Sequence, residues 1–297
     1  MDEEKIIPLI TDGNLAQLIP TIETALQQHQ VLPTAVLFKA AIQAMQLDVL
    51  QYLLTRLLPD KEDRDNIEKG KQNHLRTFYR AVILEAVIPD RVPAFELLCR
   101  HDPSLPTMHL GHPGAPIAWA VLGDNLPLVS FLLANGVDPN EAQVNYWPAV
   151  AVVAGHRPCA MMELLLDPGA AIAGTDALFA AVRNRRVDML TLLLERRKVA
   201  NINAIQPGNW PTDLTPGPVL HLAIRTKNRQ MVRVLIERFH ADPLARDSEG
   251  KTAVAWAVDV KDPEIMKLCR CGTKQIMKTR ILLMLKWIPL GRPGTKD

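Results

Sequence analysis

The residues whose type and spacing could do chemistry are few. His109-Leu110-Gly111-His112 sets two imidazoles three positions apart on a Gly- and Pro-rich segment. Such a pair could share a metal or a proton, but a metal needs further ligands and none is in the motif, so the two read as loop histidines. Cys269-Arg270-Cys271 is a C-x-C pair with no histidine beside it, read as cysteines at a helix end. Gly111-His112-Pro113-Gly114 lacks the Lys-Ser/Thr that a phosphate loop requires. The only serines are Ser104, Ser130 and Ser248, none of them in a G-x-S-x-G elbow, and there is no H-E-x-x-H or C-x-x-C. Asp60, Glu62, Asp63 and Asp65 lie in a charge run and read as solvated surface. No catalytic residue, metal or cofactor is expected from these motifs.

Composition narrows the classes. The 297 residues are 48% hydrophobic and 22% charged, a globular balance. The 23 prolines argue against long helices and coiled coils. The net charge of +2 hides an asymmetry: residues 267–297 hold eight basic residues and one acid, leaving the remainder with 26 basic and 31 acidic residues. A body of that charge is not expected to bind nucleic acid. The acidic start Met1-Asp2-Glu3-Glu4 has no apolar stretch of a secretory signal, and no run approaches the roughly 18 apolar residues of a membrane span. Four cysteines do not make a disulfide framework, so a soluble protein of the cytoplasm or nucleus is expected.

The elements that position these residues recur. From Ala115 to Asn140 two apolar stripes flank Gly123-Asp124-Asn125, and Asn135-Gly136 closes the second. This predicts helix, turn, helix and a Gly-ended loop. The pattern returns from Pro148, Asp176, Pro218 and Thr252, more faintly near Ala81 and Val36, and faintest near Glu4 with Asp12-Gly13-Asn14 as its turn. Successive starts from Val36 onward are 45, 34, 33, 28, 42 and 34 residues apart. Such a period marks a stacked repeat, since one helix pair cannot bury its apolar face alone. Ala120, Ala181, Ala223 and Ala257 share one register, where close helix approach needs a small side chain. Pro93, Pro127, Pro158 and Pro263 fall at the first turn of second helices, where a missing N–H is harmless.

These strings resemble the ankyrin-repeat family. Its T-P-L-H-x-A signature is matched piecewise by Leu220-His221-Leu222-Ala223, Pro116-Ile117-Ala118-Trp119-Ala120 and Thr252-Ala253-Val254-Ala255-Trp256-Ala257, and its L-L-x-x-G-A-D by Leu132–Asp138 and Leu165–Ala171. The resemblance implies an all-α solenoid of about seven to eight ankyrin-like helix–turn–helix repeats with short finger loops. A degenerate N-terminal capping repeat is expected over 1–31, the repeat solenoid over 32–270, and a basic C-terminal cap helix and tail over 271–297. Residues 59–74 read as a charged loop or helix extension, and 204–217, with Trp210, as an enlarged finger. It also implies a structural role for His221, while inter-repeat packing accounts for Trp119 and Trp256.

In the family, partners are held by finger tips and exposed first-helix positions lining a concave surface. Carried onto this sequence, the resemblance points to His112, Asn145, Trp147, Glu249 and Lys251 on fingers and to His156, Arg183, Asn184 and Arg225 on first helices, with Trp210 on the enlarged finger. The expected function is therefore non-enzymatic: binding of a partner protein or peptide. Arg183, Arg185, Arg186, Arg196, Arg197, Lys198, Arg225, Lys227, Arg229 and Arg233 make the units from 176 and 218 basic, which would favour an acidic partner. The alternative is a small-molecule-binding or acid–base enzyme of the isomerase or cyclase type in the concave face. The basic tail is a further candidate for contact with an anionic surface.

Overall fold

The computed structural model describes residues 3–58, 69–196, 202–205 and 217–286. In chain order the helices are α1 (Glu3–Thr11), α2 (Leu15–Gln27), α3 (Thr34–Gln43), α4 (Leu47–Leu57), α5 (Lys69–Ala86), α6 (Val92–His101), α7 (Pro116–Leu122) and α8 (Leu126–Ala134). A two-stranded hairpin, β1 (Gln143–Val144) and β2 (Trp147–Pro148), follows. The chain continues with α9 (Ala149–His156), α10 (Cys159–Leu166), α11 (Ala177–Arg183), α12 (Val187–Arg196), α13 (Val219–Arg225), α14 (Arg229–Arg233), α15 (Ala253–Val260) and α16 (Pro263–Lys286). Sixteen helices among the described residues thus form eight successive pairs, and the fold class is the expected one: an all-α solenoid of short helix–turn–helix repeats.

The turn inside seven of the eight pairs, all but α9–α10, shares one backbone device. Gly13, Met45, Asp90, Asp124, Arg185, Lys227 and Lys261 all have positive φ, and each lies two residues before a second helix. In five of these turns the residue after it bonds back five positions: Asn14 N–H to the Leu9 carbonyl, Gln46 to Ala41, Asn125 to Ala120, Arg186 to Ala181 and Asn228 to Ala223. This closes the first helix and satisfies a carbonyl that would otherwise lack a partner. Asn14, Asn125 and Asn228 next cap the second helices, their side chains accepting from the N–H of Gln17 (3.2 Å), Leu128 (3.1 Å) and Met231 (3.1 Å). Ala120, Ala181, Ala223 and Ala257 are buried, which accounts for their shared register. Pro93, Pro127 and Pro263 lie in the first turn of α6, α8 and α16, and Pro158 immediately precedes α10.

The chain divides into two compact units, residues 1–149 with 160–170, and residues 150–159 with 171–297. In the first, α1, α3 and α5 lie side by side, as do α4, α6 and α8. Phe38 meets Phe78 edge-on at 5.2 Å, and Phe95 meets Phe131 at 6.0 Å. In the second, α13 lies between α11 and α15, and α14 packs on α16. Leu190, Leu193, Met231, Leu235 and Ile265 fill its core.

Three local features sharpen the expectations. Residues 69–74 are helical, the extension alternative for that segment, and as the start of α5 they put the beginning of the third pair well before Ala81. Pro8 and Pro20 sit inside α1 and α2, not at helix starts. After α14 the chain makes a π-helical turn, Val234–Arg238. In two earlier repeats, the N–H closing the second helix reaches back five residues (Val137 to Leu132, Ala170 to Leu165), whereas Ala241 reaches back six, to Leu235. One extra residue is present there, and the wider turn absorbs it.

Candidate binding surface

In the first unit two fingertips meet. The segment 109–114 is anchored by Leu110, which is buried and donates its N–H to the Gly114 carbonyl at 3.2 Å. The hairpin is set by Gln143 opposite Pro148 and Val144 opposite Trp147, with Asn145 and Tyr146 as its two turn residues. Both have positive φ, 53° and 70°, as the tightest hairpin turns demand. Asn145 N–H donates to the Pro113 carbonyl at 2.9 Å and so ties one fingertip to the other. The approach is close: a Cβ on Gly114 would stand 2.8 Å from the Gln143 carbonyl oxygen. Between the tips lies a cavity of about 280 Å³ that includes His109, His112, Asp138, Glu141 and Tyr146 in its lining.

The structure thus gathers His112 and Asn145 at one place, with Trp147 half-buried on β2. It adds Tyr146, which the sequence reading passed over. Tyr146 is 86% exposed, and its ring centroid stands 6.3 Å from that of His112. The signal for it was the Asn145-Tyr146 pair between Val144 and Trp147, a two-residue hairpin turn without glycine. His109 Nδ1 accepts from Gly111 N–H at 3.1 Å, so the motif histidine is spent on its own loop. Among the described residues, no group of three or more His, Cys, Asp or Glu side chains is placed to hold a metal ion.

In the second unit Arg225 and Lys251 converge on Trp256. The Arg225 guanidinium lies 4.8 Å and the Lys251 ammonium 3.9 Å from its ring centroid. Lys251 also pairs with Asp259. Asp247 organises the finger: Oδ1 accepts from the N–H of Glu249 (3.0 Å) and Lys251 (2.8 Å), and Oδ2 from Trp256 Nε1–H (2.7 Å). Burial opposes ionisation of Asp247, but the Trp256 bond and the two backbone N–H groups outweigh it, and the carboxyl lies below its ordinary value. His221 is 3% exposed, with Nε2 3.1 Å from the Lys251 carbonyl, which ties α13 to the same finger. Burial holds its imidazole below the usual 6.5, against the opposing pull of the Lys251 carbonyl and Asp247. Trp256 therefore does more than pack between repeats, since it forms the platform on which this finger is built.

The other residues expected of a binding strip are spread within this unit. His156 is exposed at the end of α9. Asn184 caps α11, its Nδ2 donating to the Ala180 carbonyl at 2.9 Å, and sits 3.1 Å from where a Cβ on Gly155 would be. Arg183 is half-buried and Glu249 exposed. Trp210 lies outside the described residues.

Three of the arginines that made the units from 176 and 218 basic, Arg186, Arg229 and Arg233, are in ion pairs, as is Arg238 beside them. Arg229 pairs with Asp262 at 2.8 Å and with Glu264 at 3.4 Å, Arg233 with Glu264, Arg238 with Glu195, and Arg186 with Asp188 at 3.4 Å. In the first unit Arg56 pairs with Glu23 at 2.6 Å. Arg56–Glu23 and Arg229–Asp262 are both separated by 33 residues, the repeat period. Opposite charges one period apart were the sequence signal that could have found them.

Comparison with known proteins agrees with this geometry. A family model described as ankyrin repeats, in three copies, matches residues 117–206, and a single ankyrin-repeat model matches 219–248. Inversin from Canis lupus familiaris and from Homo sapiens are each 29% identical to the chain over 163 residues. The match takes in 52% of this chain and 14% of either relative, so the chain spans a small part of those proteins. A crystal structure of the ankyrin repeat domain of Bcl-3, described as a unique member of the IkappaB protein family, superposes with a TM-score of 0.52. That match has 22% identity and covers 65% of this chain and 84% of that one, and it speaks for the fold alone. With eight helix pairs and these family matches, the chain carries ankyrin repeats over residues 117–206 and 219–248.

Proposed function

We propose that this chain is a recognition module, holding a partner protein or peptide on its fingertips and exposed first-helix positions. Ankyrin repeats in general mediate protein–protein interaction, and the residues favoured here are His112, Asn145, Tyr146 and Trp147 in the first unit and His156, Arg183, Asn184, Arg225, Glu249 and Lys251 in the second. The observation that carries the reading is Tyr146. A large aromatic ring stands 86% exposed on a left-handed turn residue, where glycine would cost less. A side chain kept at a conformational cost of about 1 kcal/mol, with no burial in return, is suited to a contact made with another molecule. An acid–base enzyme would use the same cavity. No hydrogen bond or ion pair joins His109 or His112 to Asp138 or Glu141, and this favours recognition over proton transfer.

The test is affinity capture with mass spectrometry, comparing the full chain with its Tyr146→Gly and His112→Ala double variant. Proteins enriched by the native chain are expected to fall severalfold on the variant, while far-UV circular dichroism is unchanged. The reading is refuted if the same proteins are retained at the same intensity. Tyr146→Gly alone is expected to stabilise the fold by about 1 kcal/mol through relief of the turn.

A further inference from the structure

The cavity between the fingertips of the first unit has a chemical preference. Two carboxylates, Asp138 and Glu141, line it, and no lysine or arginine does. Arg80 approaches Gly111 from α5 and is not part of the lining. The rings of His112 and Tyr146, tilted by 60° to one another, form an aromatic corner of the same cavity. Buried Ile117 and Val137 complete an apolar wall. At about 280 Å³ the space falls at the lower end of pockets that hold small molecules, and it suits a single long side chain.

Carboxylates, ring faces and an apolar wall around one small space favour a cation on an apolar stem. The stem covers the wall, and the charge meets the carboxylates and the ring faces. A guanidinium answers these features more fully than an ammonium, because it is planar, stacks on rings and offers paired donors to a carboxylate. One of the receiving groups is held in advance. Asp138 Oδ1 accepts from the backbone and side-chain N–H of Asn140 at 2.8 and 3.0 Å, which fixes its rotamer. The two lips are joined by the Asn145–Pro113 bond. Little ordering is then left to oppose binding. We infer that this cavity seats the arginine side chain of an extended segment of the partner. The inference rests on the reading that these fingertips bind a partner, and names the residue they take.

The test is a titration of the full chain with the capped peptide Ala-Ala-Arg-Ala-Ala, followed by amide chemical shifts, beside the same peptide carrying lysine or citrulline. Shifts are expected to centre on Gly111, Gly114, Gln143 and Tyr146. Replacing arginine by the uncharged, nearly isosteric citrulline is expected to weaken binding by about tenfold or more. Glu141→Gln and Tyr146→Gly are each expected to weaken it by about three- to tenfold. Equal binding of arginine and citrulline peptides, shifts confined to another part of the chain, or no shifts at millimolar peptide would overturn the inference. If the arginine peptide fails while the Tyr146→Gly and His112→Ala double variant still loses captured proteins, the recognition reading survives without it. If both fail, both readings fall.

Discussion

The finger around Asp247 allows a test in which the donors and acceptors can be counted. The carboxylate is 4% exposed and serves three donors, two on Oδ1 and one on Oδ2. Asp247→Asn keeps the shape but replaces one oxygen by an NH2 group. With Oδ1 left facing the backbone, that NH2 confronts the indole N–H of Trp256; with the amide flipped, it confronts both backbone N–H groups. Loss of the negative charge weakens the two retained bonds by roughly 1 kcal/mol each, and the stranded indole donor adds about 1–2 kcal/mol. The expected cost is therefore about 3–4 kcal/mol. In a Trp256→Phe background the stranded donor is gone, and the same change should cost only about 2 kcal/mol, a coupling of about 1–2 kcal/mol. Urea unfolding at pH 7, followed by far-UV circular dichroism, measures both. Hydrogen exchange of α13 and α15 amides confines the reading to this unit, since repeat arrays need not unfold in one step. A coupling below about 0.5 kcal/mol would show that the indole–carboxylate bond does not hold the finger, and the reasoning would fail.

Three further outcomes can be checked. Because burial holds His221 below 6.5, the unfolded chain takes up its proton first as the pH falls. The neutral ring's contribution is present above pH 6.5 and declines below it, so the melting temperature should drop as the pH falls below 6.5, and His221→Gln should flatten that slope; an unchanged slope counts against the assignment. Lys227 is exposed with a φ of 52°, and Lys227→Gly is expected to raise stability by about 0.5–1 kcal/mol in urea unfolding. A loss of stability there would show that the turn device has been misjudged. A Cβ on Gly272 would stand 2.6 Å from Ile236 Cγ2, so Gly272→Ala should lower stability by about 1 kcal/mol, the overpacking exceeding the gain in helix propensity. A stability increase would refute that balance.

The fold was legible because its demands fall on residue type. Ala120, Ala181 and Ala223 must be small to sit where helices approach, and Asn125 and Asn228 must cap, so the chemistry shows in the letters. The left-handed turn residues are less visible, because Met45, Arg185 and Lys227 stand where only Gly13 announces the conformation. The start of α5 was obscured by the charged run before it, in which no apolar period can be read. The π-helical turn was invisible, since one inserted residue leaves the apolar stripe nearly intact. At the candidate surface, finger positions could be carried over by register, and His112 and Asn145 lie on the two fingertips. Tyr146 escaped because its importance lies in exposure and backbone conformation. The arginines read as open charge because pairing with another repeat depends on side-chain reach, which spacing alone suggests only when both signs are examined one period apart.

The π-helical turn at Val234–Arg238 has a consequence for how such a chain tolerates change in length. The added residue is taken up within a single layer, much as a stacking fault is confined to one plane of a layered crystal. Beyond it Ala241 is again buried, Thr252 again caps its helix, and Asp262 again meets an arginine one period behind. Phase is recovered within a few residues, and the layer that follows does not register that the count was broken. Sideways, Ile236 presses on the neighbouring helix at Gly272, which supplies the room. In a stack of this kind an insertion inside a helix becomes a local matter between two layers, and the permission for it is written one repeat further along the chain, in the absence of a single methyl group.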